Sequence, residues 1–289
     1  VERNSDNGGV TRRQPGCVVV DSVTELDAAA AAGSVVVAGS HAGLYPARLV
    51  ASLGVRAVIL NDASVGFEGA GIAGLASLGS HRIPALAVGH DSARIGDGAD
   101  CLRRGVVRHL NAAAAACGCA VGQSCAAAVD RLLSASPPRP DAAAPGPAPP
   151  REARHRLDAG PPQVWAVDSA SLVTDQDAGC ILVTGSHGGL LGGRARSAIR
   201  AQVLAALFND AGIGIDNAGI SRLPALDDRR IAGATVAAAT ARIGDGRSTL
   251  NDGILSAINA LAAEYGIRVG MPARLFVSIL HARRDAVGQ

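Results

Sequence analysis

The chain contains no lysine, and all 27 of its basic residues are arginine. A Schiff-base lysine, a Walker A lysine and the internal lysine of a pyridoxal phosphate enzyme are therefore excluded. Pyridoxal phosphate is ruled out and no other cofactor is called for. Aromatic residues are also scarce, with one Trp, two Tyr and three Phe in 289 residues. The core has to come from Ala, Val, Leu and Ile, and the stacking platforms used to bind single-stranded nucleic acid are missing. With a net charge of only +2, no nucleic-acid partner is expected.

No apolar run approaches the roughly 18 residues of a membrane span. The polar start Val1-Glu-Arg-Asn is not followed by the apolar stretch of a secretory signal. A soluble, cytoplasmic protein without a membrane partner is expected. The six cysteines (17, 101, 117, 119, 125 and 180) do not form the CxxC pairs of zinc modules. They read as small buried thiols.

What the chain does have is an internal duplication. Val35-Val-Val-Ala-Gly-Ser-His41 is answered by Ile181-Leu-Val-Thr-Gly-Ser-His187, Asn61-Asp62 by Asn209-Asp210, and Ala93–Gly98 by an identical Ala241–Gly246. Nine of eighteen residues agree between 61–78 and 209–226. The expected layout is a disordered tail over 1–16, a first α/β repeat over 17–133 and a Pro/Ala-rich linker over 134–162. A second α/β repeat over 163–281 and a tail over 282–289 complete it. The linker holds nine of the fourteen prolines, a composition that favours extended chain.

Apolar β-branched runs that end in Gly-Ser-His or Asn-Asp read as buried parallel strands emptying into loops. Their alternation with helical segments predicts two α/β units, each a mainly parallel flavodoxin- or Rossmann-like sheet flanked by helices. Two such units on one chain suggest a pseudo-dimer, and further association into a homo-oligomer is compatible with it. The last helix of each repeat is expected from Asp100 to Cys117 and from Ser248 to Tyr265, the second with Ser248 as N-cap.

Ligands of open parallel sheets bind beyond the carboxyl ends of the strands, and the repeated polar residues fall there. His41 and His187 are candidate acid–base groups, each in a glycine loop whose amides could face an anion; the structural alternative is a loop-capping histidine. Asp62 and Asp210 could orient them, or serve as Asx turns and helix caps. Arg94 and Arg242 could grip a carboxylate, or brace their loop against Asp97 and Asp245. Ser40, Ser186, Gly43, Gly189, Ser92 and Thr240 complete the expected substrate-binding set, with a capping role as the alternative for the Ser92 and Thr240 hydroxyls. A divalent metal, if held, would use His41, Asp62 and His90. His90 has no counterpart, because Ala238 stands in the second copy, and His81, His109, His155 and His281 read as surface or core residues. Gly69-Ala-Gly71-Ile-Ala-Gly74 matches a dinucleotide-binding pattern that the second copy lacks.

The expected function is an enzyme acting on a small anionic, carboxylate-bearing metabolite, hydrolysing an amide or ester bond with a His/Asp pair and an Arg anchor. The same residues would serve a lyase or isomerase, and a non-catalytic metabolite-binding or scaffold protein is the reading from another class.

Overall fold

The computed structural model describes residues 11–136 and 152–287. Most of the expected N-terminal tail and of the proline-rich linker lies outside the described residues. The described chain divides into two compact units. One holds residues 11–65, 69–136 and 214–216, and the other residues 66–68, 152–213 and 217–287.

The first unit contains strands β1 (Thr11–Gln14), β2 (Cys17–Val20), β3 (Val35–His41), β4 (Ala57–Asn61), β5 (Ala85–Val88) and β6 (Val107–Leu110). Its helices are α1 (Ala28–Ala31), α2 (Leu44–Ser52), α3 (Ala73–Ser80), α4 (Gly98–Arg104), α5 (Ala112–Ala116) and α6 (Cys125–Ser134). The sheet runs β1-β2-β3-β4-β5-β6. Strands β2 to β5 are parallel, while β1 and β6 are antiparallel edge strands. The second unit has the same plan with β7 (Arg154–Asp158), β8 (Val164–Val167), β9 (Ile181–His187), β10 (Ala205–Asn209), β11 (Ala232–Val236) and β12 (Leu255–Ile258). Helices α7 (Arg222–Asp228), α8 (Gly246–Asn251), α9 (Ala260–Glu264) and α10 (Ala273–Val287) flank it.

Two mostly parallel sheets flanked by helices agree with the expected α/β class. The flavodoxin- or Rossmann-like order does not hold. Those folds reverse strand order and bind ligand at the reversal, whereas here each crossover moves one strand onward and the order never turns back. The long last helices are also corrected. Each is broken into helix, antiparallel strand and helix: α4-β6-α5 in the first unit and α8-β12-α9 in the second. Gly105 and Asp252 are the C-caps of the leading helices, and Asn111 and Asn259 cap the trailing ones by accepting the N–H of Ala114 and Ala262. Asp245, not Ser248, caps α8. Helix α10 continues to Val287 through the expected tail, and β1 and β7 occupy parts of the expected tail and linker.

The central strands are apolar throughout because both faces are covered. Val35 and Val37 pack toward Cys101, Leu102, Cys125 and Leu132. Val36 and Ala38 point the other way, toward Ala47, Val50, Leu75 and Leu78. Each Val or Leu among them contributes roughly 1.5–3 kcal/mol on full burial.

The two units differ on one face. Where α2 stands in the first, the second has only short 3-10 turns over Leu191–Gly193 and Ala195–Ser197. Gly74 of α3 touches the loop so closely that a Cβ would lie 2.4 Å from the Gly43 carbonyl oxygen. Arg222 occupies the matching position and reaches into the space. Its guanidinium donates to the carbonyls of Gly189 and Ser197, each at 3.0 Å, and lies 4.9 Å from the Phe208 ring centre. Burial lowers its pKa to about 10. Replacing Arg222 with Ala strands these carbonyls and should cost about 2–4 kcal/mol in urea unfolding. An unchanged midpoint would show that Arg222 does not support this loop.

Candidate functional site

The carboxyl ends of β3, β4 and β5 meet the Ala93–Gly98 loop, and close backbone approach sets the geometry. A Cβ on Gly39 would lie 2.3 Å from the Asp97 amide nitrogen, and one on Gly185 would lie 2.4 Å from that of Asp245. Gly96 and Gly244 donate their N–H to the carbonyls of Gly39 and Gly185, at 2.8 and 2.7 Å. Asp21 and Asp168 accept the N–H of Gly98 and Gly246. Repeated glycines here serve strand–loop contact.

Most repeated polar side chains are engaged by backbone. The Ser40 and Ser186 hydroxyls accept the N–H of Val23 and Ala170. Ser92 donates to Gly89 and accepts from Val106, and Thr240 donates to Ala237 and accepts from Ile254. Asn61 and Asn209 each bridge two backbone groups. For Ser92 and Thr240 the capping alternative describes the contacts, and Gly43 and Gly189 act by donating their N–H to the preceding histidines.

His41 is buried, and its Nδ1 accepts the Gly43 N–H at 3.1 Å. The neutral ring therefore carries its proton on Nε2. Burial pushes its pKa down to about 4. His187 accepts the Gly189 N–H at 3.2 Å in the same way. The expected His41–Asp62 and His187–Asp210 pairs do not form. Asp62 Oδ1 instead accepts the Ser64 and His90 N–H groups at 2.9 and 2.8 Å, and Asp210 Oδ1 those of Gly212 and Ala238 at 2.8 Å. Each carboxylate closes a turn of unusual shape. Ala63, Ser64, Val65 and Gly66 all have φ between 46° and 69°, and Ala211 to Gly214 repeat this run. Left-handed backbone costs roughly 1–2 kcal/mol for each non-glycine residue, and β-branched Val65 and Ile213 are genuine outliers there. Such strain collects at functional sites.

The first unit adds a side-chain pair. His90 Nδ1 lies 3.0 Å from Asp62 Oδ1, with the His90 side chain 30% exposed and that of Asp62 only 5%. An ionised carboxylate only accepts, so Nδ1 carries the proton and Nε2 is left to exchange one. The Asp62 bond raises the His90 pKa. Burial opposes ionisation of Asp62, but its bonds to His90 and Ser64 outweigh this and lower its pKa. His109 Nε2 stands 3.9 Å from the other Asp62 oxygen, and Arg108 pairs with Asp91 at 2.9 Å. Reading residues 100–117 as one helix hid both residues. They are neighbours on β6, which pairs with β5 beside His90.

Arg94 and Arg242 are held by carboxylates. Arg94 pairs with Asp216 at 2.8 Å and reaches Asp97 only at 4.0 Å. Arg242 pairs with Glu68 at 2.6 Å and lies over the Phe67 ring. Asp62 and His90 meet, but His41 does not join them, and no group of three His, Cys, Asp or Glu arranged for a metal occurs among the described residues. No helix among those residues is long and apolar enough to cross a membrane. Comparisons of the chain with protein-family models, with curated proteins and with solved structures find no match.

His41 has a consequence for stability. Its folded pKa lies below the 6.5 of the ordinary imidazole. Between pH 6.5 and 4 the unfolded chain therefore binds a proton that the folded one refuses, and stability falls as pH drops. The loss should approach about 3 kcal/mol near pH 4. Urea melts of the wild type and His41→Gln across this range should show a steeper loss of stability in the wild type, by the amount His41 contributes. Parallel curves would mean that the folded His41 ring accepts the proton.

Proposed function

We propose that the chain is an enzyme that hydrolyses an amide or ester bond in a small carboxylate-bearing metabolite, with His90 as the acid–base group and Asp62 as its orienting partner. The observation that carries this reading is the 3.0 Å contact between His90 Nδ1 and Asp62 Oδ1 at the carboxyl edge of a parallel sheet. Asp62 holds the ring by its Nδ1–H, so Nε2 can take a proton from water as that water attacks the carbonyl carbon. The same proton then passes to the leaving nitrogen or oxygen as the bond to carbon breaks. Water is the nucleophile because the nearby Ser92 hydroxyl is committed to Gly89 and Val106. Arg108 holds Asp91 by a single exposed contact, whereas Arg94 grips Asp216 through both Nε and Nη2, so Arg108 replaces Arg94 as the substrate-carboxylate anchor by exchanging Asp91 for the substrate.

The second repeat supports a non-catalytic role for that half, because Ala238 offers Asp210 only a backbone N–H. The pseudo-dimer of the two repeats belongs to this proposal and rests on their duplication.

The test is a panel of N-acyl amino acids and dicarboxylate monoesters, with hydrolysis followed by proton NMR. His90→Gln should lower kcat by roughly 10²- to 10⁴-fold while leaving the melting temperature nearly unchanged. Activity should rise with pH through a His90 pKa above the ordinary value, and Asp62→Asn should move that limb downward. Turnover that survives His90→Gln, or no turnover across the panel, would refute the assignment.

A further inference from the structure

The second unit contains a cleft of about 420 Å³ beside Asp168, which follows β8, and the first residues of α8. In the corresponding place of the first unit two arginines stand over a buried carboxylate. There Asp100 is fully buried, accepts the Arg94 N–H at 3.0 Å and is clasped by Arg103 and Arg104. In the second unit the aligned residues are Ser248, Asn251 and Asp252. Ser248 accepts the Arg242 N–H and donates to Asp252 at 2.7 Å, so the shorter side chains leave the space open.

The cleft carries both signs of charge. Arg247 aligns with Ala99 of the first unit, and its guanidinium makes no hydrogen bond or ion pair among the described residues. Asn251, one turn further along, accepts from Arg274 through Oδ1 and so has its Nδ2–H₂ left to donate. Residues four apart share a helix face, so these two donors lie side by side. The Asp245 caps go through Oδ1, and the bond from Ser248 goes to Asp252 Oδ2. One oxygen of each carboxylate is left to accept. A plain anion would meet these carboxylates, and a plain cation would meet Arg247. A ligand with both charges a few ångströms apart satisfies both sets.

We propose that this cleft binds a free α-amino acid, its carboxylate on Arg247 and Asn251 and its ammonium on Asp245 and Asp252. The site is independent of the His90 chemistry and lies wholly within the second unit.

Calorimetric titration of the full chain with L-serine, L-aspartate and L-arginine tests the proposal, with sodium acetate and methylammonium chloride as single-charge controls. At least one amino acid should bind saturably while neither control does. Arg247→Ala and Asp252→Asn should each weaken that binding tenfold or more. The Arg247 side chain has no partner among the described residues, so Arg247→Ala should keep the wild-type circular dichroism and melting temperature. Absence of saturable binding by all three amino acids would overturn the proposal. So would equal binding by the Arg247→Ala variant, and acetate binding as well as the amino acid would reduce the site to a simple anion site.

Discussion

Both units depend on a carboxylate placed just after the third parallel-sheet strand from the amino-terminal edge. Asp62 and Asp210 each accept two main-chain N–H groups, one from their own turn and one from the residues that follow the next strand. Hydrogen bonds to ionised acceptors are stronger than neutral ones. Here they tie two strand ends and a left-handed turn into one piece. The turn itself is unfavourable for Ala, Ser and Val, so it persists because its surroundings over-determine it. The neighbouring asparagines add a second bridge, from the turn to the backbone of Ala93 or Ala241.

On this shared frame the two units differ by filling or leaving open the same places. At the strand ends, His90 gives Asp62 a ring to hold where Ala238 gives Asp210 none. Beside α4 and α8, Arg103 and Arg104 close over Asp100, whereas Asn251 and Asp252 leave a cleft. On the opposite face, Gly74 admits α2 and Arg222 replaces it. In each case the backbone is kept and a side chain decides whether the place is core or site. The proposed hydrolytic centre and the proposed amino-acid cleft thus fall in different units.

Much of this frame was legible in the sequence. Uninterrupted β-branched runs ending in polar residues identified the parallel strands, and the duplication marked the strand-end loops as the place to look. The choice of histidine was not legible. His41 recurs and His90 does not, so repetition favoured His41, but repetition here preserves a buried ring that accepts a backbone N–H. The contact between Asp62 and His90 depends on β4 and β5 lying side by side, and no local spacing encodes it. Arg108 and His109 were hidden because Ala-rich flanks made 100–117 resemble one helix. Only the antiparallel return of β6 along β5 exposes their position. In the sequence Arg94 and Arg242 resemble ligand contacts because their carboxylate partners lie more than a hundred residues away.

The central claim is that proton transfer belongs to His90 and not to His41. A pH titration of the imidazole nitrogens by ¹⁵N NMR tests it most directly. His90 should carry its neutral-form proton on Nδ1 and titrate above 6.5, falling toward that value in Asp62→Asn. His41 should keep its proton on Nε2 and stay neutral until the pH nears 4. A His41 ring that titrates near or above 6.5, with His90 neutral on Nε2 and insensitive to Asp62→Asn, would contradict the account.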